Sequence, residues 1–514
     1  MPIFSHSELT ESQTINCDVC IIGSGAGGGM LAEGLAQAGI DVVMLEAGEH
    51  RTQKDFNMDE GVAFARLYQE GGLRATDDLS ITILQGECVG GTTTINWTTC
   101  FRTPDSILSH WQQRYGLTTL TTENLTPHFE AVEKRLNISE WPKELANANN
   151  QIIFRGCEKL GWESTPLKRN VKGCANSGYC SMGCPVNAKQ GMLVTTIPAA
   201  VDAGMRLYTN TRADVLVQRN NRIESISASV WNPETRRKTG VTLTIRPKIT
   251  VSACGAINGP ALFLRSGIND HNRVGLRTFI HPVVAMGAVF DEPIQGFYGA
   301  PQSASTHHFF DRGPTEIGYF IEAAPTHPML AATAASRFGI SAQDFMAKLN
   351  HMGFIIAIHD DGIIDGDDGG TISLRKDGRV SIDYPIRPPM ARAFQHAHHS
   401  LAKLALAAGA KEVQSLHLDP VSIHQESDIE LLDRKKYGSL EHGIFTAHQM
   451  GGLAMGSDPK WSVVNPEHRH HRIQNLYVVD GSVFPTSVGV NPSQTIYTLA
   501  HRARSIIMDA LRSN

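Results

Sequence analysis

CDVCIIGSGAGGGMLAEGLAQAGIDVVMLEAGE, residues 17 to 49, is the stretch that decides the fold of this 514-residue chain. Cys17 to Ile22 reads as a short buried strand, and Gly23, Gly25 and Gly28 then fit the pattern G-x-G-x-x-G. A helix-like stretch follows, with Leu31 and Leu35 on one face and Gly39 placed to stop it. Ile40 to Leu45 make a second apolar strand that ends on Glu46. Gly23 allows the tight turn, Gly25 lets the backbone approach a pyrophosphate, and Gly28 lets helix and strand pack closely. The helix N-terminus offers free N–H groups and a positive dipole end to phosphates. Glu46 is placed to accept hydrogen bonds from both ribose hydroxyls and would repel a 2′-phosphate, which disfavours NADP. A plain glycine-rich turn could share the glycines, but not the order strand, helix, strand, acid.

The rest of the composition bounds the answer. A chain of this length can bury a large core and predicts two or three structural units. Hydrophobic residues make up 41% and charged residues 19%, an ordinary globular balance. The net charge of −5, with no long basic stripe, argues against general nucleic-acid binding. Residues 1 to 16 lack the charged start and apolar core of a signal peptide, and no apolar run reaches the roughly 20 residues that span a bilayer. The expectation is a cytoplasmic protein with no transmembrane segment. Nine cysteines without a secretion signal do not read as a disulfide framework. Cys17 and Cys20 fall inside the first strand and read as small buried apolar residues.

Along the chain, a second glycine-rich block, GECVGGTTTINWTTCFRTP, runs from Gly86 to Pro104. Residues 106 to 170 read as largely helical and 171 to 191 as an irregular cysteine-rich loop. Strand-like stretches return at 206 to 217, 222 to 230 and 241 to 253. Residues 286 to 440 change texture, with Pro, Gly, His and alternating apolar runs such as Gly353 to His359. DGIIDGDDGG at 361 to 370 reads as a solvated acidic turn, since it lacks EF-hand spacing. The glycine-rich style resumes from 440. The nucleotide domain is therefore expected to be discontinuous, built from 14–105, 186–290 and 440–514. A substrate-binding or cap domain would take 106–185 and 291–439.

Three blocks together resemble the glucose–methanol–choline (GMC) oxidoreductase family of FAD enzymes. They are the N-terminal unit with LEAG at 45 to 48, the block Gly86–x–x–x–Gly90–Gly91–Thr92–Thr93–Thr94–Ile95–Asn96, and a C-terminal set. That set comprises HQMGGLAMG (His448 to Gly456), NLYVVDGSVFP (Asn475 to Pro485) and GVNPSQT (Gly489 to Thr495). A fourth stretch, GAINGPALFLRSGI from Gly255, resembles the family's second signature, with Gly259 where Ser or Thr is usual and Asn269 where Gly is usual. Glu87 likewise replaces a typical basic residue. INWTTCFRTP, CSMGCPVNAKQ and AHQMGG are most similar to the long-chain alcohol oxidase and bacterial alcohol or sugar dehydrogenase branch. The resemblance implies an α/β fold: a Rossmann-like FAD-binding domain with an inserted α+β substrate domain on an antiparallel sheet.

Alcohol oxidation needs the hydroxyl proton removed while a hydride leaves carbon for flavin N5. A neutral histidine suits the first task. By resemblance His448 is that base, and Asn491 is the amide that holds the substrate oxygen as alkoxide character develops. Pro492 fixes the backbone after it. The resemblance also places Asp480 and Gly481 at the ribityl and pyrophosphate region, Gly90, Gly91, Thr92 and Asn96 on the other side of the flavin, and Val215 at the adenine. Cys174, Cys180 and Cys184, as C-x5-C-x3-C-P, resemble the cluster-binding loop of some bacterial flavin sugar dehydrogenases. A free-thiol loop is the other reading. His396, His398 and His399, and likewise His468, His470 and His471, read as solvent-facing. Phe297, Tyr298, Phe309, Phe310, Tyr319, Phe320 and Phe354 favour an uncharged, fairly apolar alcohol, or else simply form a core. The expected function is oxidation of a CH–OH group, with oxygen, a quinone or a protein as electron acceptor. A flavin lyase or isomerase of the same fold and a sugar dehydrogenase with an external acceptor are the alternatives.

Overall fold

A computed structural model describes residues 3–335 and 337–513. Its first layer is an eight-stranded sheet seeded by the N-terminal unit. β1 (Gln13–Ile22), α1 (Ala26–Gln37) and β2 (Val42–Leu45) form a βαβ start, with β1 and β2 parallel from Val19↔Val42 to Ile22↔Leu45. Exposed and buried residues mix at the start of β1, whereas Val19 to Ile22 are buried throughout, because both faces of the sheet are covered there. α1 ends at Gln37 and Gly39 turns the chain at φ +78°, so β2 begins at Val42 rather than Ile40.

The sheet continues with β3 (Arg206–Tyr208), β4 (Thr211–Arg219), β5 (Arg222–Asn232) and β6 (Arg237–Ser252). Its order is Ile3–Phe4, β3, β2, β1, β6, β5, β4, with Leu476–Val478 also pairing β6. β6 belongs to two arrangements. Its first half makes an antiparallel meander with β5, and its last residues lie parallel to β1 and to Leu476–Val478.

The second layer is a nine-stranded, mainly antiparallel sheet. At its centre β7 (Val283–Val289), β8 (Tyr319–Ala323) and β9 (Met352–His359) pair as Val283↔Ile358 and Phe320↔Ile358, with Glu322↔Ile356 two residues along on the same face. One face packs on α2 (Pro388–Ala407), through Ile355, Ala357 and Phe394. β10 (Glu412–Ser415) extends the sheet beside β7. The edge pair Ile444–Thr446 and Ile81–Ile83 is parallel. The C-terminal helix α3 (Ser493–Arg512) returns to the first layer and packs beside α1 and the helix Thr122–Arg135. This is the α/β arrangement with an antiparallel substrate sheet expected above. Among the described residues no helix is long and apolar enough to cross a membrane.

Two sequence expectations fail on burial. The acidic turn is only half solvated: Asp365 and Asp368 are exposed, but Asp361 is fully buried and accepts hydrogen bonds from the Ile280 and His281 amides and the Tyr384 hydroxyl. Asp367 caps the Gly362 and Gly369 amides, so the carboxylates organise the turn that a polar run suggested was free. Nor do the histidine groups simply face solvent. His398, His468 and His470 are buried; His398 pairs with the Phe394 carbonyl and His468 with the Val478 carbonyl. His398, His417 and His442 stand with ring centroids 5.1 to 5.3 Å apart. The polarity of imidazole hid how well its ring fills a core once one nitrogen finds a carbonyl.

Burial pushes His417 and His470 down to about 4 and His442 and His468 to about 3, from an ordinary 6.5. The unfolded chain therefore takes up protons below pH 6.5 that the folded chain refuses. Stability present above 6.5 is lost as the pH falls towards these values. The thermal midpoint should drop steadily from pH 6.5 to 4, and His442→Gln should flatten that drop; equal slopes in the two proteins would contradict it.

Candidate active site

The turn between β1 and α1 meets the loop after Gly86 across a very short gap. Gly91, at φ +52°, lies so close that a Cβ there would sit 2.9 Å from Gly25 Cα. One buried carboxylate fastens the contact. Glu46 Oε2 accepts from the Ser24 amide (3.0 Å) and hydroxyl (2.6 Å), and Oε1 accepts from the Gly48 amide (2.8 Å). The Gly90 amide donates to the same Ser24 hydroxyl at 3.0 Å. α1 has Gly25 as its N-cap and no side-chain cap, so its first amides remain open to a ligand.

These loops form one end of a long cavity with an empty volume of about 1920 Å³, its open mouth included. Gly23, Gly25, Glu46, Gly91, Thr92 and Asn96 line it, joined by Asp480 and Gly481 from the C-terminal part of the chain. Asp480 is buried and accepts from the Gly255 and Ser482 amides, which ties the far side of the turn to the first sheet. Three expected residues do not line it. A Cβ on Gly28 would meet Gly23 O at 2.0 Å, the close helix–strand packing expected of that position. Gly90 is spent on Ser24. Val215 lies past the register shift in β4, and the strand touches the cavity only through Thr211, Arg212 and Ala213.

His448 and Asn491 line the same cavity although neither belongs to a regular element. His448 follows the edge strand Ile444–Thr446, and its amide donates to Thr446 Oγ1 (3.1 Å), whose hydroxyl in turn donates to the Ile280 carbonyl. Asn491 precedes α3. Asn491 Nδ2 lies 3.5 Å from His448 Nε2 and 3.3 Å from Glu322 Oε2, while its Oδ1 is buried without a partner. Burial pushes His448 down to about 4, so its imidazole is neutral at pH 7.

Sequence reasoning missed three neighbours. Glu322 is the acid inside the apolar strand YFIEA; it is fully buried, accepts from Gln302 Nε2 (2.6 Å), and burial pushes it up to about 8. Its signal was legible, since an acid amid an apolar strand has no structural reason to be there. His281 Nδ1 lies 3.2 Å from His448 Nδ1, and Asp360 Oδ1 lies 3.3 Å from His281 Nε2. Nothing in sequence could have joined residues so far apart.

The wall near His448 and Asn491 is apolar, with Trp97, Val283, Ile356, Ile358 and Phe445. The cross-strand pairs put Val283, Phe320, Ile358 and Phe445 in one row and Glu322 and Ile356 in the next, so a single face of the second sheet supplies them. The aromatics singled out from sequence do not line the cavity: Tyr319, Phe320 and Phe354 are buried in the sheet's packing and Tyr298 is exposed. The cationic lining residues lie at the Glu46 end, where Arg212 follows Thr211, whose amide donates to the Glu46 carbonyl, and Arg265 Nε donates to the Asp214 carbonyl.

The cysteine-rich loop is tied down by polar contacts of its own sulfurs. Among the described residues no three His, Cys, Asp or Glu side chains gather to hold a metal ion. The Cys184 sulfur accepts from the Ala188 amide (3.2 Å), Cys180 from Arg169 Nη2 (3.9 Å), and the Cys174 thiol donates to Asn176 Oδ1 (3.8 Å). Buried Lys189 fastens this loop to the cavity by donating to the carbonyls of Thr94, Asn96 and Cys180 at 2.8, 2.7 and 2.5 Å.

Comparison with known proteins agrees with this geometry. Residues 64–283 and 367–500 match family models described as GMC oxidoreductase, and residues 16–55 match one described as FAD binding domain. An uncharacterized GMC-type oxidoreductase of Mycobacterium tuberculosis is 31% identical over 490 residues, covering 94% of this chain and 74% of that one. A long-chain-alcohol oxidase of Arabidopsis thaliana is 28% identical over 521 residues, covering 97% and 69%. Among solved structures, pyridoxine 4-oxidase from Mesorbium loti superposes with a TM-score of 0.72 at 17% identity, covering 95% of this chain and 99% of that one. A formate oxidase variant of Aspergillus oryzae gives 0.70 at 13%, covering 96% and 98%.

The Gly25–Gly91 approach makes a test. Gly91→Ala should sharply lower the flavin carried per protein, read from the visible-to-280 nm absorbance ratio. Gly39→Ala, also at positive φ but with nothing within 4 Å of the new Cβ, should cost about 1 kcal/mol of stability and leave the flavin content unchanged. Equal flavin content in both variants would contradict the assignment.

Proposed function

Since the chain belongs to the GMC oxidoreductase family of FAD enzymes, we propose that it oxidises the CH–OH group of an uncharged, fairly apolar alcohol, with His448 as the base and Asn491 holding the substrate oxygen. The observation that carries this reading is the pairing of a neutral His448 Nε2 with an amide of Asn491 at the apolar end of a cavity whose other end is built for a dinucleotide.

The residues present fit FAD. Open amides at the start of α1, the side-chain-free approach of Gly25 and Gly91, and buried Glu46 and Asp480 supply what an adenine dinucleotide needs along its length. Gly23, Gly25, Gly91, Thr92, Asn96, Asp480 and Gly481 would hold it. Gly28 and Gly90 would act through the backbone packing described above, and Thr211 to Ala213 would flank the adenine in the place first given to Val215. When bound, the flavin supplies the acceptor for the hydride.

The chain's own groups do the rest. His448 Nε2 takes the hydroxyl proton, and Asn491 steadies the oxygen as it gains alkoxide character. Glu322 stays protonated at neutral pH and so brings no negative charge to oppose that development. Trp97, Val283, Ile356, Ile358 and Phe445 cover the alcohol's carbon skeleton, and they offer no counter-charge to an acidic or phosphorylated substrate. The Arabidopsis long-chain-alcohol oxidase likeness supports the same substrate class and points to oxygen as the acceptor.

His448→Ala should keep its flavin but lose alcohol-driven flavin reduction by about 10²- to 10⁴-fold in anaerobic stopped flow. Unchanged reduction kinetics would remove His448 from the role. A panel of aliphatic, aromatic and sugar alcohols, followed by reoxidation with oxygen or a quinone, reads the substrate class and the acceptor. A clear preference for charged or polyhydroxylated substrates would overturn the apolar assignment.

A further inference from the structure

His448 is backed by a buried histidine and a buried carboxyl that the reaction as written does not use. His281 is fully buried, its ring edge-on to His448 with centroids 5.4 Å apart and Nδ1 facing Nδ1 at 3.2 Å. Its other nitrogen, Nε2, lies 3.3 Å from Asp360 Oδ1. That approach is too poorly aligned to form a hydrogen bond in this structure, so His281 Nε2 and both Asp360 oxygens are buried with no hydrogen-bond partner. A carboxyl buried to 3% exposure with both oxygens otherwise idle, touching a buried imidazole that touches the base, is costly to keep unless it acts.

The backbone is arranged to hold this line. His281 sits in the left-handed region at φ +46°, an unfavourable conformation for a side chain of its size. Asp361 fixes it there by accepting the Ile280 amide at 2.8 Å and the His281 amide at 3.1 Å. Asp360 itself is set at the end of β9 by its amide's bond to the Gly318 carbonyl (2.9 Å). Two adjacent aspartates thus divide the work: one holds the backbone of His281, the other faces its ring.

Two proton arrangements satisfy the line, and they differ at the cavity. With Asp360 ionised, His281 Nε2–H faces the carboxylate, His448 Nδ1–H faces His281 Nδ1, and the His448 Nε2 lone pair is left for the cavity. With Asp360 protonated, its O–H faces His281 Nε2, His281 Nδ1–H faces His448 Nδ1, and His448 carries its proton on Nε2. The geometry points to His281 and Asp360 as positioning residues that set the tautomer of His448, with ionised Asp360 selecting the form able to accept a proton from an alcohol. This rests on His448 being the base. In that form the three groups together carry −1. When His448 Nε2 takes the alcohol's proton they become neutral, so no net positive charge is created in the dry site.

Burial and the neighbouring Asp361 push Asp360 upward. The titratable groups facing the line are His448, His359 and Asp361, with Asp367 and Tyr384 behind Asp361, and Glu322 across Asn491.

The test uses flavin-loaded protein labelled with ring-¹⁵N histidine, the His448 signals being assigned by their loss in His448→Gln. Wild type at alkaline pH should hold His448 as the Nδ1–H tautomer, and Asp360→Asn should shift it towards Nε2–H. Alcohol-driven flavin reduction should rise with pH in wild type. In Asp360→Asn that rise should vanish and the rate should fall by roughly 10²-fold. His281→Gln, which breaks the line at its middle, should give the same pH profile if Asp360→Asn fails to fold, and Asp360→Glu should restore part of the rise. The same tautomer in wild type and Asp360→Asn, or an unaltered pH profile in Asp360→Asn and His281→Gln, would overturn the inference. Wild-type reduction kinetics in His448→Gln would sink the base assignment instead, while the tautomer comparison would still judge the positioning role.

Discussion

The contact of two glycine-rich loops, Gly25 against Gly91, is the constraint on which the rest of the molecule depends. Gly91, at positive φ and with its Cβ position 2.9 Å from Gly25 Cα, has no room for a side chain, and its loop lies well beyond the βαβ unit that carries Gly25. Holding them together is a matter of charge and hydrogen bonding, because the contact itself buries almost nothing apolar. Glu46 gathers three donors, and through Ser24 it reaches the Gly90 amide. A carboxylate first read as a ribose ligand is thus also a fastener within the protein. Lys189 repeats the device from the other side, where a buried ammonium donates to three carbonyls and anchors the loop that carries Thr92 to Asn96.

Much of this was legible in the sequence. The glycine spacing, the two apolar strands and the acid at the end of the second fixed the first unit, because each follows from local sterics. His448 and Asn491 stood out by the motifs around them, and the structure brings both to one cavity. The misses share a cause. Asp361, His398 and His468 are polar residues whose burial depends on partners supplied by distant chain, such as the Ile280 amide or the Val478 carbonyl, and composition counted them as solvent-facing. Val215 lies past a register shift in β4, and that strand lines the cavity through Thr211, Arg212 and Ala213.

The electrostatic character of the site follows from dryness. His448 is held neutral, Glu322 is held protonated, and Asp360 and Asp361 are pushed upward, all by the same loss of water. In such surroundings a proton moved a few ångströms changes the local field far more than it would at a surface. That favours groups acting in sets over groups acting singly, which is how the imidazoles and carboxyls around His448 are arranged.

The second sheet gives this site its ruler. His281, Glu322 and Asp360 stand at or beside three neighbouring strands whose ladder runs Val283↔Ile358↔Phe320 and, two residues on, Ile356↔Glu322. Because side chains alternate faces, slipping any one strand by a residue would send its whole set to the opposite side. The spacing of the polar groups is therefore inherited from backbone pairing, not from the apolar side chains that line the cavity. Val283, Ile356 and Ile358 present side chains to the cavity while their backbones carry that pairing. The fold thus uncouples what the cavity accepts from how its protons are placed, leaving the former open to change while the latter stays fixed.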